Sequence, residues 1–298
     1  MHDTTRNPAI EVPRHDVPSG GRSGFTRIAG RQVHYLEWGP SLAPAVLCLH
    51  GGGQTAYMYE ELGAALRERY HVLAPDLPDH GDSDPTPDHG RQALAATIAP
   101  LCTHFGLGRV AIVGASLGGI VAVTYASAHP EHVAAIALID VGHRLEEEGV
   151  RKIIDFMRKH ESFASLEEAA AEIAAYLPHR KEVRAESLTR NLRQRSDGRW
   201  VWKHGFNRRL RAEGAEQGRD WTHVITGLDG DAARLRCPVL VLRGAASDVL
   251  SNRGAEEVAA LIPNARLAIV EKAGHLAAGD NPASTVNLIT SFLAEQVW

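Results

Sequence analysis

The chain has 298 residues, a formal net charge of −4 at pH 7 and 44% hydrophobic residues, a composition typical of an ordinary soluble domain. Its basic residues are spread along the sequence without forming a clustered positive face, so nucleic-acid binding is not expected. No apolar stretch approaches the ~18 residues of a membrane span, and the polar N-terminus lacks the pattern of a secretory signal. We therefore expect a cytoplasmic protein whose residues 1–22 form a flexible N-terminal tail.

Short β-rich runs alternate with longer helical patterns along the rest of the chain. The predicted strands are, in chain order, GFTRIA, RQVHYLEW, AVLCLH, HVLAPD, VAIVGA, AAIALID, PVLVLRG and ARLAIVE. Apolar residues recur at helical spacing in YEELGAALRERY, ALAATIAPLCTHFG, LGGIVAVTYASAHP, NRGAEEVAALIP and STVNLITSFLAEQ. The first two strands are expected to form an edge hairpin, whereas the later ones are almost continuously apolar, as strands buried on both faces are. The sequence predicts an α/β fold with a mostly parallel sheet covered by helices on both faces.

The alternation of strands and helices stops after Asp140. The segment 144–225 is charged and helical and contains no run typical of a buried strand. An insertion between two strands of a parallel sheet is expected to form a helical cap over the carboxyl ends of the strands, where ligands bind in open α/β sheets. The chain is therefore expected to comprise the tail, a core of residues 23–143 and 226–298, and the cap.

Three cysteines, Cys48, Cys102 and Cys237, are present in the sequence. They cannot all pair, and their spacing matches no metal-binding framework. Because Cys48 and Cys237 lie in or beside apolar strands, we expect free thiols that pack in the core.

A candidate nucleophile lies between the strand VAIVG and the helix LGGIVAVTYASA, in the motif Gly114-Ala115-Ser116-Leu117-Gly118. A sharp strand-to-helix turn of this kind exposes the serine above the sheet, and small residues on both sides allow the strand and helix to approach closely. The helix N-terminus would then lie beneath developing negative charge. The motif predicts that Ser116 is a nucleophile.

A glycine-rich loop, His50-Gly51-Gly52-Gly53, follows the strand AVLCLH. Acyl transfer needs N–H donors aimed at an oxyanion, and glycines let the backbone come close to it. The expected donors are the N–H groups of Leu117 and Gly52, with Gly53 as the alternative. His50 and His80, which flank this region, are expected to brace loops rather than to transfer protons.

The candidate base is His275, in the loop VEKAGHLAAGDNP that follows the strand ARLAIV. A serine hydroxyl needs a neutral imidazole within hydrogen-bond reach and a carboxylate that orients it. We favour Asp248, which follows the strand PVLVLR and gives the chain order nucleophile, acid, histidine. Asp140, at the end of AAIALID, remains the alternative acid.

These motifs together resemble those of the α/β-hydrolase superfamily, over residues from about 24 to 298. The matching segments are HGGGQT for the oxyanion loop, PDLPDHGDSD for the loop after the next strand, GASLGG for the nucleophile, and RGAASDVLS and AGHLAAGDNP for the acid and histidine loops. The resemblance implies about eight strands and no metal or organic cofactor. Two departures stand out: Asp79 replaces a more common glycine, and Asp248 lies one residue further from Gly244 than in the commonest acid loop.

The type of nucleophile narrows the reaction. Relatives that are dehalogenases or epoxide hydrolases use an aspartate where this chain has Ser116, whereas a serine points to acyl chemistry. We expect hydrolysis of a carboxylic ester on a small-molecule acyl substrate. C–C bond hydrolysis and lactone hydrolysis by the same fold remain alternatives, as does a non-catalytic ligand receptor.

The sequence does not predict the oligomeric state. Several further residues are candidates for substrate binding: Gly53, Tyr57, His143, Trp200 and Trp202. The two tryptophans alternate in GRWVWKHGF, so they would share one face of an extended segment. They either line the substrate pocket or pack the cap onto the core.

Overall fold

The computed structural model describes residues 15–17, 19–205 and 222–296. Its strands are β1 (His15–Val17), β2 (Gly21–Ile28), β3 (Arg31–Trp38), β4 (Ala45–Leu49), β5 (His71–Pro75), β6 (Val110–Ala115), β7 (Val133–Ile139), β8 (Ser162–Phe163), β9 (Leu192–Gln194), β10 (Trp200–Trp202), β11 (Val239–Gly244) and β12 (Ala265–Val270). Its α-helices are α1 (Glu60–Leu66), α2 (Arg91–Ala95), α3 (Ile98–His104), α4 (Leu117–Ala128), α5 (Glu147–Lys159), α6 (Leu166–Tyr176), α7 (Thr222–Ile225), α8 (Leu228–Ala233), α9 (Asn252–Leu261), α10 (Ala277–Asp280) and α11 (Pro282–Ala294). Two 3-10 turns, Ala56–Tyr59 and Ala185–Arg190, complete the regular elements of these ranges.

The main sheet has the strand order β1-β2-β3-β5-β4-β6-β7-β11-β12. β2 and β3 form an antiparallel hairpin, and β3 pairs antiparallel with β5. Strands β5, β4, β6, β7, β11 and β12 of this sheet are parallel to one another. All strands predicted from the sequence are present, and the α/β fold with its mostly parallel sheet is confirmed.

The edge strand β1 extends the sheet beyond the predicted strands. Its residues His15–Val17 pair with the start of β2, at Gly21–Ser23, so the predicted tail is wrong for this part of the segment 1–22. The backbone ladder explains the difference, because the edge of the β2–β3 hairpin offers unpaired N–H and C=O groups. Residues 1–14 and 18 lie outside the described residues.

The central strands alternate their side chains between two apolar layers. In β4, Leu47 and Leu49 join one hydrophobic cluster while Val46 and Cys48 join another on the opposite face. The first cluster includes α2, α3, α4 and α9, and the second includes α1 and α11. Every residue of β4, β5, β6, β7 and β11 is buried, which is why their sequences are apolar throughout.

The cysteines pack in these layers, as expected. Cys48, Cys102 and Cys237 are all free and buried. Burial raises the pKa of the Cys102 and Cys237 thiols to about 11, because a thiolate is poorly solvated in an apolar environment. These thiols are therefore protonated at neutral pH.

An insertion separates β7 from β11, and its residues 144–205 are called the insertion below. It contains α5 and α6, as predicted, and also a small antiparallel sheet of order β8-β10-β9, which the helical prediction for this segment does not include. These strands have two or three residues each, which is too short for a detectable alternation. A separate hydrophobic cluster lies between them and the helices: Phe163, Ala169, Ile173, Leu188 and Leu192. None of the described helices is both long and apolar enough to cross a bilayer.

Candidate active site

Ser116 lies in the turn between β6 and α4 with a strained backbone, at φ 45° and ψ −114°. Such a conformation costs about 1–3 kcal/mol in a residue other than glycine and is concentrated at functional sites. Backbone hydrogen bonds hold the turn in place. The Ser116 N–H donates to Ile139 O (3.0 Å), and Ser116 O accepts from Gly119 N (2.9 Å) and Ile120 N (3.0 Å). The predicted sharp turn at Ser116 is therefore present.

Glycines around Ser116 allow β4, β6 and α4 to approach closely. A Cβ atom on Gly118 would lie 2.0 Å from Leu49 O, and one on Gly114 would lie 2.6 Å from Gly118 O. Both distances are far below any real contact, so larger residues would push the helix off the sheet. The glycines at both ends of the motif thus fix the N-terminus of α4 beside the end of β4.

The loop after β4 lies beside Ser116, since a Cβ atom on Gly51 would be 3.4 Å from Ser116 Cβ. Gly51 N donates to Gln54 Oε1 (3.1 Å), and Gln54 N donates back to Gly51 O (3.2 Å). No acceptor among the described residues is recorded for the N–H groups of Gly52 and Gly53. The first N–H groups of α4, including that of Leu117, also lack partners within the helix.

His50 braces this loop, as expected from the sequence. Its Nδ1–H donates to Gly51 O (2.8 Å), and its Nε2 accepts from Leu77 N (2.9 Å). The ring is fully buried, and burial lowers the pKa of His50 because the charged imidazolium is poorly solvated there. Since both ring nitrogens are engaged with the backbone, His50 holds the loop in shape.

His275, in the loop between β12 and α10, is paired with a carboxylate. Its Nδ1 donates to Asp140 Oδ2 at 2.7 Å. The Asp140 side chain is fully buried, whereas that of His275 is 11% exposed, so the ring lies between the core and the site. Asp140 accepts from Gly244 N at Oδ1 (2.8 Å) and from Ser247 Oγ at Oδ2 (2.6 Å).

Strand register brings this pair to Ser116. β6 and β7 pair with Ala115 opposite Ile139, so Ser116 and Asp140 are the next residues of two neighbouring parallel strands. His275 arrives from β12 at the same edge, where its loop passes tightly over β11: a Cβ atom on Gly244 would lie 2.1 Å from Gly274 O. The structure thus groups Ser116, Asp140 and His275 at the carboxyl edge of the sheet.

The sequence-based preference for Asp248 as the partner of His275 is wrong. The Asp248 side chain is 52% exposed and pairs with Lys152 of the insertion at 3.2 Å, an interaction that raises the pKa of Lys152. The acid loop turns Ser247, rather than Asp248, towards the core. The sequence already indicated that Asp248 is displaced, because the residue at the common acid spacing from Gly244 is Ser247.

The insertion reaches both loops of the site, which sequence motifs did not reveal. Above the glycine-rich loop, a Cβ atom on Gly53 would lie 2.3 Å from Met157 Cε and 3.6 Å from His204 Nε2. Above the histidine loop, Arg180 Nε donates to Asp280 Oδ1 (3.3 Å). Because Asp280 Oδ2 accepts from Gly274 N (3.0 Å), the same carboxylate links the insertion to the residue before His275.

Ion pairs between basic residues of the insertion and acidic residues of the core hold the two together. Every such pair recorded between described residues takes its cation from the insertion and its anion from the core. The pairs are Arg144–Glu257, Lys152–Asp248, Arg180–Asp280, Arg190–Glu60 and Lys203–Asp82. These basic residues of the insertion therefore form part of its docking surface on the core.

The tryptophans of β10 pack within the insertion. Trp200 and Trp202 pack against its separate hydrophobic cluster. Trp202 lies edge-on to Phe163 at 5.6 Å and donates from Nε1 to His160 O (2.7 Å). These contacts support a packing role for the two tryptophans inside the insertion, with no contact recorded to Ser116 or His275.

Tyr57 and His143 have different surroundings. The Tyr57 ring stacks on His34 at 5.9 Å and lies 5.1 Å from the Arg190 guanidinium of the insertion, so it connects the core to the insertion. His143, close after Asp140, is half-buried, and its Nδ1 is buried with no hydrogen-bond partner among the described residues. His143 is therefore the better candidate for contact with a substrate.

Two groups of described residues have donor atoms close enough to share a metal ion. His129, Glu131 and His132 form a solvent-facing group after the C-terminus of α4, at the opposite end of that helix from Ser116. The second group, His34, Asp76 and Asp82, is tied by hydrogen bonds and an ion pair to Lys203. Neither group includes a residue of the Ser116 site.

Comparison with known proteins identifies the family. A family model described as alpha/beta hydrolase fold matches residues 44–282. The chain belongs to this family. Membership of this family establishes the fold, whereas an activity has to be argued from the residues of the site.

Individual relatives within this family include esterases. The chain is 30% identical over 278 residues to the esterase Rv0045c of Mycobacterium tuberculosis, a match that covers 90% of this chain and 88% of the esterase. A solved structure of that esterase superimposes with a TM-score of 0.70 at 26% identity, covering 92% of each chain. A solved E-2-(acetamidomethylene)succinate hydrolase gives a TM-score of 0.78 at 22% identity, covering 92% of this chain and 99% of the other, a likeness of fold alone.

Proposed function

We propose that the protein hydrolyses carboxylic esters, with Ser116 as nucleophile, His275 as general base and Asp140 as the acid that orients it. The main support is the hydrogen bond of 2.7 Å between Asp140 and His275. Asp140 follows β7, the strand next to the one that leads into the strained turn at Ser116. A carboxylate can only accept, so Nδ1 carries the proton and Nε2 of the neutral ring is left to accept another. This is the tautomer that a base for Ser116 requires.

The reaction proceeds in two halves through an acyl-enzyme. In the first, Ser116 Oγ attacks the ester carbonyl as His275 Nε2 takes the hydroxyl proton, and the tetrahedral intermediate collapses as the imidazolium returns that proton to the departing alcohol. In the second, His275 deprotonates water, which attacks the acyl carbon, and the proton returns to Ser116 as the acid leaves. The negative charge of Asp140 stabilises the imidazolium in both halves.

The oxyanion of each intermediate needs preorganised donors. The N–H of Leu117 at the start of α4 is one, and the N–H of Gly52 is the other, with Gly53 as the alternative. This assignment is supported by the use of the Gly51 N–H within its own loop. The α4 N-terminus adds the favourable end of a helix dipole.

The insertion serves as the cap of the site, over a core of residues 23–143 and 226–298. Met157 and His204 lie over Gly53, so the cap limits the space beside the oxyanion donors and favours a small or medium acyl substrate. The buried Nδ1 of His143 has no hydrogen-bond partner among the described residues, so it is available to give such a substrate a polar contact. The similarity to the esterase Rv0045c over nearly the whole chain supports an ester as the substrate.

The test measures hydrolysis of short-chain p-nitrophenyl esters by the wild type and by Ser116→Ala. It is accompanied by labelling with a fluorophosphonate, which reacts with activated serines. We expect turnover and a single label on Ser116 in the wild type, and neither in the alanine variant, with the thermal midpoint retained. Undiminished turnover by Ser116→Ala, or a wild type that neither turns over esters nor accepts the label, would overturn the proposal.

A further inference from the structure

Asp140 depends on hydrogen bonds for its stability as a buried carboxylate. Its side chain is fully buried, and a charge taken out of water must be compensated by donors. The donors among the described residues are His275 Nδ1, Gly244 N and Ser247 Oγ, at 2.7, 2.8 and 2.6 Å. Ser247 and His275 share one oxygen, Oδ2, so the serine directly influences the oxygen that faces the base.

The Ser247 hydroxyl cannot turn freely. Its oxygen accepts from Leu250 N (3.1 Å) and Val249 N (3.3 Å). With both acceptor positions occupied by N–H groups, the remaining direction for its own proton is towards Asp140. The loop backbone therefore sets the orientation of this donor.

Arg243 fixes the loop that carries Ser247. Its buried guanidinium donates to three backbone carbonyls, those of Leu250 (2.8 Å), Ala245 (3.0 Å) and Ser247 (3.3 Å). These bonds hold both ends of the segment around the hydroxyl. Arg243 thus supports Ser247, and Ser247 supports Asp140.

We propose that Ser247 is a positioning residue of the active site, whose locked hydroxyl holds Oδ2 of Asp140 towards His275. The inference rests on the proposed function, since it concerns the base of the same site. Ser247 Oγ lies 2.6 Å from the oxygen that contacts His275 Nδ1.

The experiment compares Ser247→Ala and Ser247→Thr with the wild type on the same p-nitrophenyl esters. Loss of one hydrogen bond to a charged group should lower kcat about 10- to 100-fold in Ser247→Ala while KM stays near wild type. Ser247→Thr, which keeps the hydroxyl, should restore most of the lost kcat. A wild-type kcat in Ser247→Ala, or a threonine variant no better than alanine, would overturn the positioning role.

Ser251→Ala is the matched control, because it removes a hydroxyl from the same loop that does not touch Asp140. Ser251 Oγ caps α9 by accepting from Gly254 N (3.1 Å), so its loss should lower the thermal midpoint and leave kcat unchanged. If Ser251→Ala lowers kcat as much as Ser247→Ala does, the effect is one of loop stability and the positioning role is rejected.

Ser116→Ala in the same assay distinguishes a failure of the proposed function from a failure of this inference. If Ser116→Ala retains turnover, the proposed function itself fails. If Ser116→Ala loses turnover while Ser247→Ala keeps the wild-type kcat, only the positioning role of Ser247 is rejected.

Discussion

Replacing Asp140 by asparagine tests the acid with almost no change of shape. The amide must place its NH2 group on one of the two oxygen positions. The Oδ1 position faces the Gly244 N–H, which can only donate, so an NH2 there would leave two donors opposed in a buried site. At the Oδ2 position, His275 Nδ1 can switch from donor to acceptor, although Ser247 is held as a donor by two backbone N–H groups. The NH2 group finds an acceptor only at this position. The amide NH2 is therefore expected at the Oδ2 position.

The consequence for catalysis is a change of tautomer in His275. To accept from the new NH2 group, Nδ1 must lose its proton, and the proton of the neutral ring moves to Nε2. That nitrogen can then no longer accept the Ser116 proton, so the base is lost although the fold and the pocket remain. In a serine protease the same substitution lowers kcat about 10⁴-fold, which corresponds to a loss of about 5.4 kcal/mol at the transition state.

The assay is kcat and KM for a short-chain p-nitrophenyl ester, with the thermal midpoint recorded for each variant. Asp248→Asn is the control, because that carboxylate is half-exposed and pairs with an exposed lysine, and such pairs contribute little. We expect a large fall of kcat in Asp140→Asn and near wild-type kinetics in Asp248→Asn. The reverse order, or a folded Asp140→Asn variant that keeps a tenth or more of its kcat, would refute the assignment of Asp140.

Two further predictions concern stability. Gly53 has φ +72°, so Gly53→Ala should lower the free energy of unfolding by about 1–2 kcal/mol. Gly52 has open space at its Cβ position, so Gly52→Ala should change the free energy of unfolding little. Equal losses for the two variants in urea unfolding would contradict this prediction. Arg180→Gln should lower the free energy of unfolding by about 1–2 kcal/mol, because it removes the cation that pairs with the buried Asp280. The loss should be smaller than that for a fully buried ion pair, since the Arg180 side chain is 26% exposed. Arg144→Gln, whose pair with Glu257 has a 60% exposed arginine side chain, should leave the thermal midpoint unchanged, and a larger shift there than in Arg180→Gln would argue against burial as the cause.

The fold was readable from the sequence because its strongest signals are local. Strands buried on both faces must be apolar at every position, and β4, β6, β7 and β11 show this directly. The turn at Ser116 was readable for the same reason, since Gly114 and Gly118 record a close approach within one short segment. By contrast, β8, β9 and β10 depend on pairing between distant parts of the insertion, which leaves no periodicity in two or three residues.

The choice between the two candidate acids was not local, and the sequence could not make it. Both Asp140 and Asp248 follow a buried strand, and both lie at the correct edge of the sheet. The deciding facts are the direction of each side chain and the partner it meets. Asp248 meets Lys152 of the insertion, a residue about a hundred positions away that carries no motif.

Backbone strain at neighbouring strand ends unites the two parts of the site. Ser116 and Asp140 directly follow β6 and β7 at the same level of the ladder, and both have a positive φ, 45° and 51°. Non-glycine residues adopt this region at an energetic cost, and here it occurs at two adjacent positions in the sheet. Strain at both positions, together with the donors that converge on the Asp140 carboxylate, indicates that the direction of each side chain is what the turns must fix. The turn at Ser116 lifts that side chain above the sheet, and the turn at Asp140 directs its carboxylate inward to His275.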